Sequence, residues 1–242
     1  CQATMEKFPG TFGAENCKSL VSSITTKSLS FTTHRVSPIG QPFPALLNHK
    51  NVADEGSGQV EVKLKMARLD YEDYKQYRRK YYGDELFEFL MKSAKVTDEF
   101  SVTVSDPKDY QSHGVEIKIP QQEAGLYIIS AEVENSGVLG YALTSVSNIA
   151  YLNRRNKGKT DFTVMHRETG APIEDVQAQL WEEYYDYKDR EYKLKKGDKY
   201  KTDENGHFRV DEQGRNSRNF FVEFSHGEDF LYTDQSFYSY NY

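Results

Sequence analysis

The sequence predicts an all-β protein: two tandem β-sandwiches, the first with a helical insertion, preceded by a short helical leader. Three observations carry this. Apolar residues alternate with polar ones over many short runs, most cleanly at Val60, Val62, Leu64 and Met66 against Glu61, Lys63 and Lys65, the period of a half-buried strand. Turn signals recur every 8–12 residues or so, as a sandwich requires. The length, 242 residues, is long for one sandwich and suits two of roughly 100 residues each.

Composition agrees. Hydrophobic residues make up 37% of the chain, enough for packed cores, and the 18 tyrosines suit strands with one face packed and the hydroxyls reaching water. The net charge of −6 with no basic arm argues against nucleic acid as a partner. No apolar run approaches the roughly 20 residues that span a bilayer, so no membrane contact is expected. The opening Cys1-Gln2-Ala3-Thr4 is not the basic-then-apolar pattern of a signal peptide, and the chain reads as a piece of something longer. Cys1 and Cys17 both lie in the leader and give no disulfide framework.

The leader covers 1–27. After Pro9-Gly10, a helix from about Ala14 to Ile24 puts Cys17, Leu20, Val21 and Ile24 on one face. One helix cannot bury its own stripe. The segment resembles the closing helix of a tetratricopeptide-like repeat and reads as the end of a preceding helical region.

The first sandwich is expected over 28–152. Leu29 and Phe31 open it, and Pro38, Gly40, Pro42 and Pro44 mark a turn-rich connection before the Val60 strand. The helical insert spans about 70–95. Asp70 is a candidate N-cap for Tyr71 to Arg79. Gly83 breaks the pattern, and Asp84-Glu85 opens a second helix with Leu86, Phe87, Leu90, Met91 and Ala94 at helical spacing. Strands resume at Val96–Val104, Val115–Ile119, Leu126–Val133 and Tyr141–Tyr151. The third of these is apolar on both faces at its start and reads as central.

The polar run 153–159 reads as a linker. The second sandwich, 158–242, follows. Phe162 and Val164 form a strand, and residues 167–172 turn. Val176, Ala178 and Leu180 then face one way, with Gln177, Gln179 and Trp181 opposite. Residues 181–196 read as exposed strand or a long hairpin. Asp203-Glu204-Asn205-Gly206 is a tight turn before Phe208 and Val210. Phe220, Val222 and Phe224 alternate, and 230–240 closes the set.

No constellation reads as catalytic, cofactor-binding or metal-ligating. The six histidines, His34, His49, His113, His166, His207 and His226, are scattered without the spacing of a helical zinc site. Two could still meet in space. Asp106, Asp109, Ser112 and His113 look like a hydrolase cluster, but neighbours in one short loop rarely reach triad geometry. Asp-Pro turn chemistry accounts for them. Asp203 to Gly206 briefly resembles a calcium loop, but His207 stands at its fifth position and Gly214 at its closing one. Trp181, Tyr184, Tyr185, Tyr187 and Tyr192, interleaved with acidic residues, form either a recognition surface or a face that packs on a neighbouring domain.

Four stretches in order carry a family resemblance: Tyr77 to Leu86, Asp109 to Pro120, Gly125 to Ile129 and Val146 to Arg155. Together, and by their order more than by any one motif, they resemble the early macroglobulin domains of bacterial alpha-2-macroglobulin-like proteins, of the Bacteroidetes type. Asp161 to Ile173 with Lys201 to Phe208 resembles the start and mid-hairpin of the next domain. The resemblance implies immunoglobulin/fibronectin III-like sandwiches in a large protein that traps proteases. There a bait segment is cut, the molecule rearranges, and many members capture the attacker through a Cys-Gly-Glu-Gln thioester. Its implied partners are the neighbouring domains of the parent and, through the parent, target proteases. Its implied location is the periplasm or cell envelope. No cofactor is implied. The competing reading is a cell-surface adhesion or ligand-binding module on the same fold.

Cys1 precedes Gln2-Ala3 and Cys17 precedes Lys18-Ser19, so neither stands in the thioester motif. Methylamine should leave the intact mass unchanged, and an adduct at either cysteine would show the motif reading to be wrong.

Overall fold

The computed structural model describes residues 1–53, 58–134, 136–156, 158–211, 218–233 and 235–239. Helices α1 (Gln2–Lys7) and α2 (Phe12–Thr25) form the leader. The Thr11 hydroxyl accepts the Ala14 N–H as the N-cap of α2. The leader is tied down by polar contacts: Lys50 Nζ donates to the Ser23 carbonyl, and Asn51 Nδ2 to those of Ile24 and Thr26. Phe12, Leu20 and Ile24 stay exposed.

The first sandwich pairs two sheets. One is β1 (Ser28–Thr33), β3 (Phe43–Lys50) and β6 (His113–Ile119), with β3 central. The other runs β2 (Val36–Ser37), β8 (Val138–Val146), β7 (Gly125–Val133), β4 (Gln59–Leu69) and β5 (Lys95–Ser105). Leu29, Phe31, Phe43, Ala45 and Leu47 from one sheet meet Val60, Val62, Leu64, Met66, Tyr127 and Ile129 from the other. Strand β7 is central, as its two-faced apolarity predicts. Gly140 permits close approach of the sheets, since a Cβ there would stand 3.0 Å from the Leu29 carbonyl oxygen.

The turn-rich reading around Pro42 and Pro44 needs correction, because Pro44 lies inside β3. A proline near the start of a strand is tolerated where few ladder bonds are lost. The buried alternation Phe43, Ala45, Leu47, His49 was the signal, masked by the proline spacing.

The second sandwich packs β9 (Ile149–Asn156), β10 (Lys159–His166) and β13 (His207–Asp211) on a second sheet. That sheet runs β12 (Glu191–Lys201), β11 (Gln177–Asp186), β14 (Arg218–His226) and β15 (Asp229–Tyr232), with β16 (Phe237–Ser239) also on β14. Phe162, Val164, Val176, Ala178, Leu180, Phe208, Val222 and Phe224 form its core. The rings of Phe162 and Phe208 stack at 4.9 Å.

Two expectations fail here. The strand read from Tyr141 to Tyr151 is two strands in different sheets, broken at Ser147-Asn148. The run read as a linker is a hairpin, since β9 pairs with β10 from Ile149↔His166 to Asn156↔Lys159. Its polarity has a different cause: β9 is an edge strand, and Asn153, Arg154 and Arg155 are exposed on it. Lys157 lies outside the described residues. The closing segment read to Tyr240 resolves into β15 and β16, and Tyr240 also lies outside them.

Asp203-Gly206 is the expected turn. Asp203 Oδ1 accepts the N–H groups of Asn205 and His207 at 2.9 and 2.8 Å. Gly206 has φ +70°, and a Cβ would lie 2.2 Å from the Val164 carbonyl oxygen, so only glycine fits.

Leu64 is 1% exposed at the centre of the first core. Leu64→Ala should cost about 2–5 kcal/mol in urea melts.

Candidate functional site: the junction between the sandwiches

The helical insert is α3 (Tyr71–Tyr77) and α4 (Gly83–Met91). Asp70 caps α3 as predicted, accepting from the N–H groups of Glu72 and Asp73. Asp73 accepts a short hydrogen bond from the Ser93 hydroxyl, which ties α3 to the turn after α4. The Tyr141 hydroxyl donates to the Gly83 carbonyl at 2.7 Å, fastening the start of α4 to β8.

The insert covers part of the outer face of the β4–β7–β8 layer. On β4 that face shows exposed Glu61, Lys63 and Lys65, then buried Ala67 and Leu69. The change marks where the helices begin to cover the sheet. Leu126 and Ile128 of β7 join Ala67 and Leu69, and Tyr74 and Leu90 pack on them.

The same apolar cluster contains Phe221 and Tyr232 of the second sandwich, with Trp181, Leu194 and Phe230 against its edge. The insert is therefore a wedge between the sandwiches, and its two sides belong to one continuous core. Tyr71 packs against Phe230 with ring centroids 4.0 Å apart and the planes inclined by 53°, and it donates its hydroxyl to the Phe230 carbonyl at 3.3 Å. Burial pushes the Tyr71 phenol well above its ordinary value.

A buried charge sits in the wedge. Lys75 is 6% exposed. Its ammonium lies 2.6 Å from Glu72 and 3.1 Å from Glu223 of β14. It also stands 4.2 Å from the centroid of the Trp181 ring. Trp181 Nε1 donates to the same Glu223 oxygen at 2.9 Å. One turn on, Arg79 Nη1 reaches Glu183 of β11 at 2.5 Å and its guanidinium lies over Phe221.

A second set of polar contacts acts at the chain crossing. The Asn148 N–H donates to Asp229 at 2.9 Å, and its side-chain oxygen accepts the Ile39 N–H at 3.0 Å. Arg167 donates to the carbonyls of Ser147 and Ile149, and burial lowers its pKa from the ordinary arginine value. The crossing residues Ser147 and Asn148 are thus held from both sandwiches.

The other sequence candidates separate. In the Asp106–His113 loop, Ser112 is exposed. Asp109 Oδ1 accepts the Gln111 N–H at 2.8 Å and lies 2.9 Å from His113 Nε2, the local turn chemistry expected. The hydrogen bond from His113, with that from Gln111, lowers the Asp109 pKa. Asp106 is not a surface turn residue, being 2% exposed. Burial alone would raise its pKa, but the N–H groups of Ala53, Lys108 and Val52 outweigh this and lower it. Gly214 of the calcium-like loop lies outside the described residues. His34 and His226 are exposed, and His207 Nε2 lies 3.3 Å from Asp161.

The 181–196 segment is the long hairpin expected, but it divides. Trp181 packs against α3, whereas Tyr184, Tyr185, Tyr187 and Tyr192 are exposed. They ring the tip, with Tyr185 5.1 Å from both Tyr187 and Tyr192. Cys1 and Cys17 are free thiols. Among the described residues no helix is long and apolar enough to cross a membrane.

No protein-family model and no curated protein matches the chain. Solved structures do. A crystal structure of native alpha-2-macroglobulin from Escherichia coli spanning domains MG0-NIE-MG1 aligns with a TM-score of 0.58 at 15% identity, over 86% of this chain and 64% of that one. A second, spanning NIE-MG1, aligns with a TM-score of 0.56 at 14% identity, over 87% of this chain and 97% of that one. The chain thus spans less than two thirds of the three-domain fragment and nearly all of the two-domain fragment. At this identity the likeness is one of fold.

Removing Glu223 leaves the buried Lys75 ammonium with only the exposed Glu72 and strips the Trp181 indole of its acceptor. Glu223→Ala should cost about 3–5 kcal/mol. Glu99→Ala, which breaks the exposed pair with Lys65, should cost about 1 kcal/mol or less. Urea denaturation of both variants checks the contrast.

Proposed function

We propose that this chain is a non-catalytic scaffold segment of a bacterial alpha-2-macroglobulin-like protein, and that its parent traps proteases. The single observation that carries the reading is the wedge: two sandwiches share one apolar core through α3 and α4. A catalytic domain needs an organised cleft with matched acid, base or nucleophile. A scaffold needs neighbouring sandwiches held at one angle, which a shared core and the Lys75–Glu223 pair provide. The alignment over nearly the full two-domain Escherichia coli fragment supports the assignment, as does the order of the sequence stretches that resemble that family.

In this reading the leader, 1–27, precedes two units that meet between β8 and β9. The first is the 28–152 region as far as the end of β8, with the insert at about 70–95, and the second is β9 together with the 158–242 region. The partners are neighbouring domains of the parent, and proteases only through it. The location is the periplasm or cell envelope, and the Bacteroidetes-type affiliation is part of the same proposal. A second reading, an adhesion or ligand-binding module, draws on the exposed tyrosine tip of the β11–β12 hairpin. In that case Tyr187→Ser should abolish surface attachment.

The complete gene product provides the test. Incubated with a broad-specificity endopeptidase, it should be cut within one bait segment and retain the enzyme in a complex. The isolated 242-residue chain should neither retain the protease nor turn over peptide, ester or glycoside substrates. A gene product without a bait segment, or turnover by the isolated chain, would reject the reading.

A further inference from the structure

Far from the wedge, at one end of the first sandwich, two imidazoles face each other. His49 of β3 and His113 of β6 are direct partners across the antiparallel ladder, and both follow the inward-facing phase of their strands. Their ring centroids are 5.9 Å apart, with the planes inclined by 32°. His49 is 1% exposed, and neither of its ring nitrogens has a hydrogen-bond partner. Such a group is rare in a folded core, and an absent ion or water is a usual reason.

The geometry fits an ion. A divalent metal about 2.05 Å from one nitrogen of each ring, with a tetrahedral angle between them, places the centroids about 5.2 Å apart. The observed separation is wider than that, so binding draws the two rings together. The surroundings fit as well. His113 Nε2 lies 2.9 Å from Asp109 Oδ1, so an Nε2–H donated to that carboxylate leaves Nδ1 with the free lone pair. A carboxylate behind an imidazole is the usual outer partner of a metal-bound histidine. The flanking residues Lys108 and Tyr110 adopt φ +58° and +62°. This uncommon backbone presents Asp109 to the ring at a fixed place. Burial lowers the His49 pKa more than Asp106 raises it, a direction that favours the neutral ring. Among the described residues no three His, Cys, Asp or Glu side chains surround a common point, so the chain supplies two ligands and solvent the rest.

We propose that His49 and His113 form a binding site for a divalent transition-metal ion of the zinc type, each through one ring nitrogen, with Asp109 orienting His113. The site stands apart from the junction and is independent of the scaffold reading. It also departs from the sequence expectation of no metal ligand, because cross-strand register brings together residues 64 positions apart.

The test uses the untagged chain carrying Cys1→Ser and Cys17→Ser, so that thiols do not compete, after treatment with a chelator. Titrated with Zn²⁺ in a calorimeter, it should bind one equivalent, and its melting temperature should rise with added Zn²⁺. Co²⁺ should give the visible absorption of a site with nitrogen ligands. His113→Gln, at a partly exposed position that should leave the metal-free melt almost unchanged, should weaken binding at least 10-fold. Asp109→Asn should weaken it about 10-fold. His207→Gln should leave it intact. Equal Zn²⁺ affinity in His113→Gln, or no saturable binding at all, would overturn the site and assign the His49 nitrogens to water.

Discussion

The wedge depends on one constraint: the outer face of the β4–β7–β8 layer is apolar at one end and must be covered. Ala67, Leu69, Leu126 and Ile128 are all buried there, although a strand at a sandwich surface would normally alternate apolar-in with polar-out. The insert supplies the cover. A pair of short helices cannot be stable alone, and α3 and α4 bury Tyr74 and Leu90 only because a sheet lies beneath them. The second sandwich then covers what the helices leave open, with Phe221 and Tyr232. Sheet, helices and second sandwich each leave an apolar face that another of the three covers.

Polar groups fix the angle of that assembly. Hydrophobic burial is non-directional, so the shared core alone would tolerate sliding. Lys75 restricts it, because a buried ammonium must keep its carboxylate partners. Glu223 and Trp181 lie on the paired strands β14 and β11, are bonded to each other, and both contact Lys75, so moving that sheet relative to α3 breaks two contacts at once. Arg79 and Glu183 add a further pair along the same line. At the chain crossing Asn148 bonds with both its backbone N–H and its side-chain oxygen. Together these contacts bind the first sandwich and its insert to the second at more than one point.

The β11–β12 hairpin shows a division of labour along one strand. Ala178 and Leu180 fill the second core, Trp181 on the other face meets α3, and Tyr184, Tyr185 and Tyr187 run on into solvent. Among the described residues the strand outlasts its sheet: β14 pairs with β11 as far as Glu182, whereas β12 follows it to Asp186. Lysines at 193, 195, 196, 199 and 201 line the outer strand, a composition that discourages edge-to-edge pairing.

Sequence by itself determined the elements whose signal is local. The period-two runs at Val60–Met66 and Phe220–Phe224, the Asp70 cap, the Asp203–Gly206 turn and the central character of β7 follow from side-chain alternation and short-range hydrogen bonding, and the structure has them all. Strand β3 was hidden because Pro44 reads as punctuation, and β9 because an exposed edge strand and a linker share a polar composition. Only the tertiary structure decided where the chain crosses between sandwiches, what the insert packs against, and that His49 meets His113. Each of these depends on which strands become neighbours. Register between distant segments is set by the packing of whole faces, and spacing along the chain carries no trace of it.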